Sequence, residues 1–226
     1  MQRPGNDGTN MALTGNGIGA RLIALVLCAA AAAAFEVRAQ SPSPDVLVRN
    51  TTEEVLTIVR NDKDIKAGKV DRIVDLIEEK VAPHFDFPRM TRLAVGRAWR
   101  DATPAQRDAL IKEFRSLLVR SYSAAFTAYT GVSVEYRPFR SNPGDTEATV
   151  QTLIKLPSGA QPVTVDYDMA HTPNGWKVYD LRVAGASLII NYRNLFALEI
   201  DRGGIEGLLK SLVNRNSANA TPAVKP

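Results

Sequence analysis

The chain has 226 residues and a formal charge of +4, with 45% hydrophobic and 23% charged residues. Basic residues are interspersed with acidic ones and no block of five or six like charges occurs, so the charge pattern argues only weakly for nucleic-acid binding. The one cysteine, Cys28, lies in the first apolar segment, so a chain processed after that segment has neither a disulfide nor a thiolate metal site.

That segment reads as a leader. Arg21 opens a basic turn, Leu22 to Phe35 is an almost unbroken apolar run, and Val37-Arg38-Ala39 places small residues where a signal peptidase needs them. As a helix the run spans roughly 21 Å, short of the ~20 residues that a bilayer core requires, so residues 1–39 are expected to be a signal peptide and not an anchor. Met1 and Met11 both stand as possible starts. Leu27 precedes Cys28 where a lipidation signal needs a small residue. The bacterial style of the signal places the mature chain in the periplasm, and removing three basic and two acidic residues leaves it about +3. A single domain is expected over 40–213, enough for one sizeable core, followed by a disordered tail over 214–226.

Ser41 to Pro44 reads as a linker. Val48, Val55 and Val59 then fit an amphipathic helix ending in the polar run Asn61 to Asp64. Val70, Ile73, Val74, Ile77 and Val81 predict a second helix, which Pro83 stops. Phe85-Asp86-Phe87-Pro88 turns into a short helix through Leu93 and Val95. Thr103-Pro104-Ala105-Gln106 is a helix start with a capping residue, a first-turn proline and a capping-box partner. The helix that it opens carries Leu110, Phe114, Leu117, Leu118, Tyr122 and Phe126 on one broad stripe, reaches toward Tyr129 and ends at Gly131. This is the longest helix expected.

From Val132 the period falls to two. Val132 to Arg137, Ala148 to Lys155 and Val163 to Met169 alternate apolar and polar residues, and Trp176 to Val183 forms a fourth strand after Pro173-Asn174-Gly175. The short turns between them predict an antiparallel meander whose apolar face packs on the preceding helices, an α+β arrangement. Helical spacing resumes with Tyr192, Leu195, Phe196 and Ile200, breaks at Gly203-Gly204, and continues through Leu208, Leu209 and Leu212.

Catalytic constellations are scarce. His84 and His171 sit in different elements, as surface or partly buried side chains. Gly185-Ala186-Ser187 starts like a nucleophile elbow but lacks the second glycine and a following histidine, which rejects a serine hydrolase. Asp166 and Asp168 share the outward face of a strand, as a solvated acidic edge or, less simply, a metal or acid/base pair. Asp180, between Tyr179 and Leu181, is expected to be partly buried in a structural hydrogen bond, with catalysis as its other reading.

Phe85-Asp86-Phe87, Met90, Leu93-Ala94-Val95-Gly96-Arg97, Trp99-Arg100, Thr103, Gln106, Phe114 and Tyr122 resemble the periplasmic phospholipid-binding MlaC family, also called the toluene-tolerance auxiliary family. So do Val163 with Tyr167, Trp176-Lys177-Val178-Tyr179-Asp180, Gly185 with Ser187-Leu188, Asn191-Tyr192-Arg193, Phe196 and Gly203-Gly204. Ala186 departs from the valine that the family more often carries. The resemblance covers nearly all of the mature chain.

It implies a twisted antiparallel sheet, similar to the nuclear-transport-factor-like fold, wrapped by helices and enclosing a lipid pocket. It also implies a carrier, not an enzyme, that works without a cofactor or metal and as a monomer. Such a carrier shuttles phospholipid between an outer-membrane lipoprotein-porin complex and an inner-membrane ABC transporter with a membrane-tethered substrate-binding ring, maintaining outer-membrane lipid asymmetry. Carriage of a hopanoid or another apolar small molecule is the alternative, and a cone-fold isomerase or dehydratase the third. On the carrier expectation, the opposed apolar faces Val150, Ile154, Val163, Val165 and Tyr167 with Leu118, Tyr122 and Phe126 line the acyl cavity. Arg92, Arg97, Arg100 and Arg140 meet acidic partner surfaces or lipid phosphate, which arginine's planar fork suits.

Overall fold

The computed structural model describes residues 41–220 apart from 129, 130, 143 and 158, with no side chain at 124–128 or 219–220. The expected leader 1–39 with Cys28, the side chain of Phe126 and residues 221–226 lie outside the described residues.

Helix α1, Pro44–Asn61, starts on a proline suited to the first turn and buries Val48, Val55 and Val59, the stripe that the spacing predicts. Asp62 ends it and begins the short α2, Lys63–Lys66, by accepting the Asp64 and Ile65 amides at 2.9 and 3.1 Å. The polar run after α1 is therefore a helix cap as well as a break. Helix α3, Val70–Leu76, ends before Val81; the chain widens into a π turn, Ile77–Val81, and then a 3-10 turn, Ala82–His84. Pro83 has no N–H and its ring crowds the carbonyl four residues back, so the α pattern loosens as it approaches.

Helix α4, Phe87–Val95, follows and leads through a 3-10 turn, Gly96–Arg100, into α5, Pro104–Ala128. The α5 start is the expected reciprocal box: the Thr103 amide donates to Gln106 Oε1 at 2.9 Å and the Gln106 amide to Thr103 Oγ1 at 3.2 Å. Gln106 also reaches Glu206 at 2.7 Å. That bond joins α5 to the last helix, α6, Leu188–Ala220, which bends at Gly204 (φ 64°, ψ −162°). The two halves of α6 fold back on each other, bringing Arg215 within 3.6 Å of Glu199.

The tail expected from Asn214 is corrected in part, since α6 runs on to Ala220. Asn216 explains this: its amide donates to the Glu113 carbonyl at 3.0 Å and to Glu113 Oε2 at 2.7 Å, tying the segment to α5.

The sheet is open and antiparallel in the order β1-β2-β3-β4-β5. Its strands are β1 Ser133–Tyr136, β2 Glu147–Lys155, β3 Val163–Thr172, β4 Gly175–Val183 and β5 Ala186–Ser187. Together with the helices it makes the α+β architecture expected from the change of period. β5 goes beyond the four strands read from alternation. A bulge lies between Asp168 and Met169: Asp168 pairs with Asp180 but Met169 with Val178, leaving Tyr179 as the extra residue on β4.

Apolar side chains collect in three clusters. The largest joins α4, α5 and α6 around Met90, Leu110, Phe114, Phe196, Leu208 and Leu212. A second holds α1, α2 and α3 with Val119 of α5. The third sets Val48 of α1 on the sheet residues Val150, Met169 and Val178. Among the described residues no helix is long and apolar enough to cross a membrane.

Candidate functional site

Strand register brings the expected sheet residues onto one face. Val150 pairs with Tyr167, Thr152 with Val165 and Ile154 with Val163, so all five apolar residues stand on the same side of β2 and β3. Burial is graded along that face. Val150 is 2% exposed beneath α1 and Val165 is 8% exposed, while Ile154, Val163 and Tyr167 are partly open. Thr152, also on this face, satisfies its hydroxyl on the Val165 carbonyl at 3.1 Å. Two of the expected α5 residues have helical partners. Leu118 packs in the helical cluster with Phe114 and Phe196, and Tyr122 is 45% exposed, its hydroxyl bonded with that of Tyr192. Burial, and then Tyr122 beside it, push the Tyr192 hydroxyl up to about 12.

The second feature is built on α4. Asp86 caps this helix by accepting the Arg89 amide at 2.9 Å, while its own amide donates to the Val178 carbonyl at 2.8 Å. One residue therefore both starts α4 and hangs it on β4. Arg89 lies over the Tyr179 ring at 3.6 Å and pairs with Glu147 at 2.6 Å, which uses the bulged position of β4 to brace the helix. At its far end Gly96 takes φ 68°, a left-handed conformation that glycine allows without strain, and the chain turns into the 3-10 segment. Arg107 of α5 holds that segment by donating to the Trp99 and Arg100 carbonyls, each at 3.1 Å.

The consequence is a groove of about 410 Å³ lined by Arg92, Leu93, Gly96, Arg97, Arg100 and Arg193. Three of the four arginines expected to meet an anion thus converge. Arg140 does not line this groove; it is exposed on the connection between β1 and β2. Arg193 of α6 is the member that the sequence reading missed as a site residue. Its Nε donates to the Leu93 carbonyl at 2.8 Å, and the two are 100 residues apart in the chain.

The residues weighed for catalysis have structural work. Asp166 and Asp168 face Arg182, at 3.7 and 2.9 Å, and Thr149 donates to Asp168 at 2.7 Å. Asp180 is buried and accepts from Ser187 Oγ at 2.5 Å, from the Leu181 amide at 2.8 Å and from the Ile189 amide at 3.1 Å. Ser187 in turn accepts the Ile190 amide at 3.0 Å, so the pair ties β4 to β5 and starts α6. Replacing Asp180 by Ala strands these donors and should cost about 2 to 3 kcal/mol. Urea unfolding measures it, and a loss below about 0.5 kcal/mol, the ordinary range of surface substitutions, would show that the junction does not need the carboxylate. Burial, and then Lys177, pull His84 below the ordinary histidine value. His171 is exposed and meets the Trp176 ring edge-on at 5.3 Å. Among the described residues no group of His, Cys, Asp and Glu is arranged to hold a metal ion.

The sequence profile described as MlaC protein matches residues 49–214, which spans every element from α1 into the second half of α6. The chain belongs to the MlaC family. MlaC relatives bear this out at low identity. The chain is similar to the toluene tolerance protein ttg2D of Pseudomonas putida, 24% identical over 181 residues, covering 80% of this chain and 82% of that protein. It is also similar to the intermembrane phospholipid transport system binding protein MlaC of Haemophilus influenzae, 17% identical over 172 residues, covering 75% and 80%. Among solved structures it resembles the phospholipid-binding protein of Ralstonia solanacearum in complex with a phospholipid. That likeness has 36% identity and a TM-score of 0.73, over 78% of this chain and 98% of that one.

Proposed function

We propose that this chain is a periplasmic phospholipid carrier. The observation that carries the proposal is the likeness to the phospholipid-complexed Ralstonia protein, at 36% identity over 98% of that chain. The leader expected over 1–39 supports export, and the name of the Haemophilus relative supports transfer between membranes. Physics requires a protein for this task. At ~0.8 kcal/mol per methylene, a lipid with about thirty of them needs on the order of 24 kcal/mol to enter water unaided. A chain that hides the acyl groups removes that barrier without chemistry of its own, and release then depends on docking to a partner that opens the site. The proposed partners are an outer-membrane lipoprotein-porin complex and an inner-membrane ABC transporter with its tethered ring.

The acyl chains are proposed to lie along the sheet face of Val150, Ile154, Val163, Val165 and Tyr167, and toward Leu118, Tyr122 and Phe126 of α5. The grading of burial decides which substitution tests this. Val150 is already packed beneath Val48, so a tryptophan there overfills a closed contact and costs stability by about 1 to 3 kcal/mol. Val165 lies farther along the face toward the more open Ile154 and Val163. Val165→Trp should lower the phospholipid recovered per mole of folded protein at least severalfold, measured by mass spectrometry of an organic extract. Undiminished lipid in folded V165W would remove this face from the lining. Recovery of a hopanoid in place of phospholipid would replace the proposed cargo.

A further inference from the structure

The connection from α3 to α4 is one of the places where the helices are fastened to the sheet. Phe85 packs against both the helical cluster around Phe114 and the sheet cluster around Val150, and it forms a bridge with Val178 of β4. On one side of it the Asp86 amide donates to the Val178 carbonyl at 2.8 Å, and on the other Lys177 Nζ donates to the Pro83 carbonyl at 2.5 Å. His84 and Phe85 lie between these two fastenings.

The chain has two histidines, and histidine is the side chain that ordinarily changes charge between about pH 5 and 8. His171 is exposed near the end of β3, whereas His84 is half-buried in the fastened turn. Its charged surroundings come from three elements. Lys177 of β4 presents a cation and Glu54 of α1 a carboxylate, and Lys80 of the π turn already occupies that carboxylate at 2.9 Å while reaching Glu79 at 3.1 Å. Asp86, two residues on, is committed to the Arg89 amide. An imidazolium formed here therefore meets a lysine that cannot withdraw without giving up the Pro83 carbonyl, and a carboxylate already shared with another lysine. The neutral ring is the form that fits.

We propose that His84 is an acid-sensitive latch: its protonation drives Lys177 off the Pro83 carbonyl and frees the Ala82–Asp86 connection from β4. Burial, and then Lys177, hold the ring below the ordinary histidine value, with Glu54 opposing them. The latched form then binds fewer protons than the open one, so the latch is at full strength above about pH 6.5 and weakens as pH falls from there through the lowered value. Opening releases Phe85, the side chain that the two clusters share, and the helical half loses one of its holds on the sheet. No cargo is needed for this response.

The test uses the full mature chain and reads amide hydrogen exchange at Phe85 and Asp86 between about pH 5 and 8, corrected for the intrinsic chemical rate at each pH. The open fraction should rise severalfold toward acid. His84→Gln, which keeps a polar and neutral side chain, should hold it at the high-pH level throughout, while His171→Gln should leave the response intact. Melting curves at the upper pH confirm that each variant is folded. A proton NMR titration of the His84 ring tells a latch from a passive histidine: Lys177→Met should raise its midpoint and Glu54→Gln should lower it.

An open fraction that does not change with pH in the wild type, or changes as much in His84→Gln, overturns the inference. Midpoints that stay put in both charge variants overturn it as well, because the ring then does not feel the strap. Should His84→Gln fail to fold, Lys177→Met decides. Without the strap its exchange should be high and nearly independent of pH, and a full acid response in the absence of the lysine would place the switch elsewhere.

Discussion

Stripped of lipid, the protein should melt on the order of 8 to 16 °C below the same protein reloaded with phospholipid. A ligand that binds only the folded state, present at about a thousand times its Kd, adds ~4 kcal/mol by mass action. In a chain of this size each 1 kcal/mol moves the midpoint by roughly 2 to 4 °C. The same expectation follows from the apolar surfaces themselves. An acyl cavity of roughly 300 to 1,000 Å³ left empty at about 24 cal/mol per Å³ costs on the order of 7 to 24 kcal/mol, comparable with the whole stability of a domain. The empty form must therefore collapse, and helices settle onto the apolar face that lipid would otherwise cover. Differential scanning calorimetry before and after delipidation, with circular dichroism in the aromatic region to report helix packing, reads both effects. Equal melting temperatures with and without lipid would remove the carrier function.

What the sequence shows and what it hides follow from the range of the interactions. Period-two alternation is local, so the faces of β2 and β3 and the placing of Asp166 and Asp168 opposite Val165 and Tyr167 were legible before any coordinates. The capping box of Thr103 and Gln106 is local too. β5 was not legible, because its two-residue turn is Ala184-Gly185, with φ values of 50° and 82°, and lacks the Asn-Gly signature that usually announces such geometry. The π turn at Ile77–Val81 escaped because its apolar spacing is that of an α-helix, and only the approach to Pro83 distinguishes it.

The groove divides along the same line. Arg92, Arg97 and Arg100 are close in sequence and read as one charged set, whereas Arg140, read as a strand-end charge near the Asn142-Pro143-Gly144 turn, does not line the groove. Arg193 joins through a bond to a carbonyl 100 residues away, a distance over which sequence spacing carries no signal. Asn191-Tyr192-Arg193 was part of the family pattern, and that was the one available sign of its importance. Leu118 and Tyr122 show the other side of this limit. A broad stripe on α5 identifies what is apolar, but which neighbour each residue meets depends on how α6 folds back.

Phe114→Ala should be the most damaging single substitution in the helical half. Phe114 is wholly buried on α5 and meets the rings of Tyr192 and Phe196 edge-on, with centroids 4.9 and 5.0 Å apart, while those two rings lie 5.7 Å from each other. The triplet pins the first half of α6 to α5. Truncating a buried phenylalanine costs about 3 to 5 kcal/mol, and each lost aromatic pair adds about 0.5 to 1.5 kcal/mol beyond its area. Against a total of about 5 to 15 kcal/mol the variant is expected to be unfolded or nearly so at 37 °C. Tyr192→Phe provides the contrast: it keeps the ring contacts and removes only the hydroxyl, which bonds with Tyr122 and Ser121, so its cost should be about 1 to 2 kcal/mol. Urea unfolding of both variants separates the two contributions. A Phe114→Ala loss no larger than that of Tyr192→Phe would mean that the helices repack around the missing ring, and that α5 and α6 are held together elsewhere, by Gln106 with Glu206 and by Asn216 with Glu113.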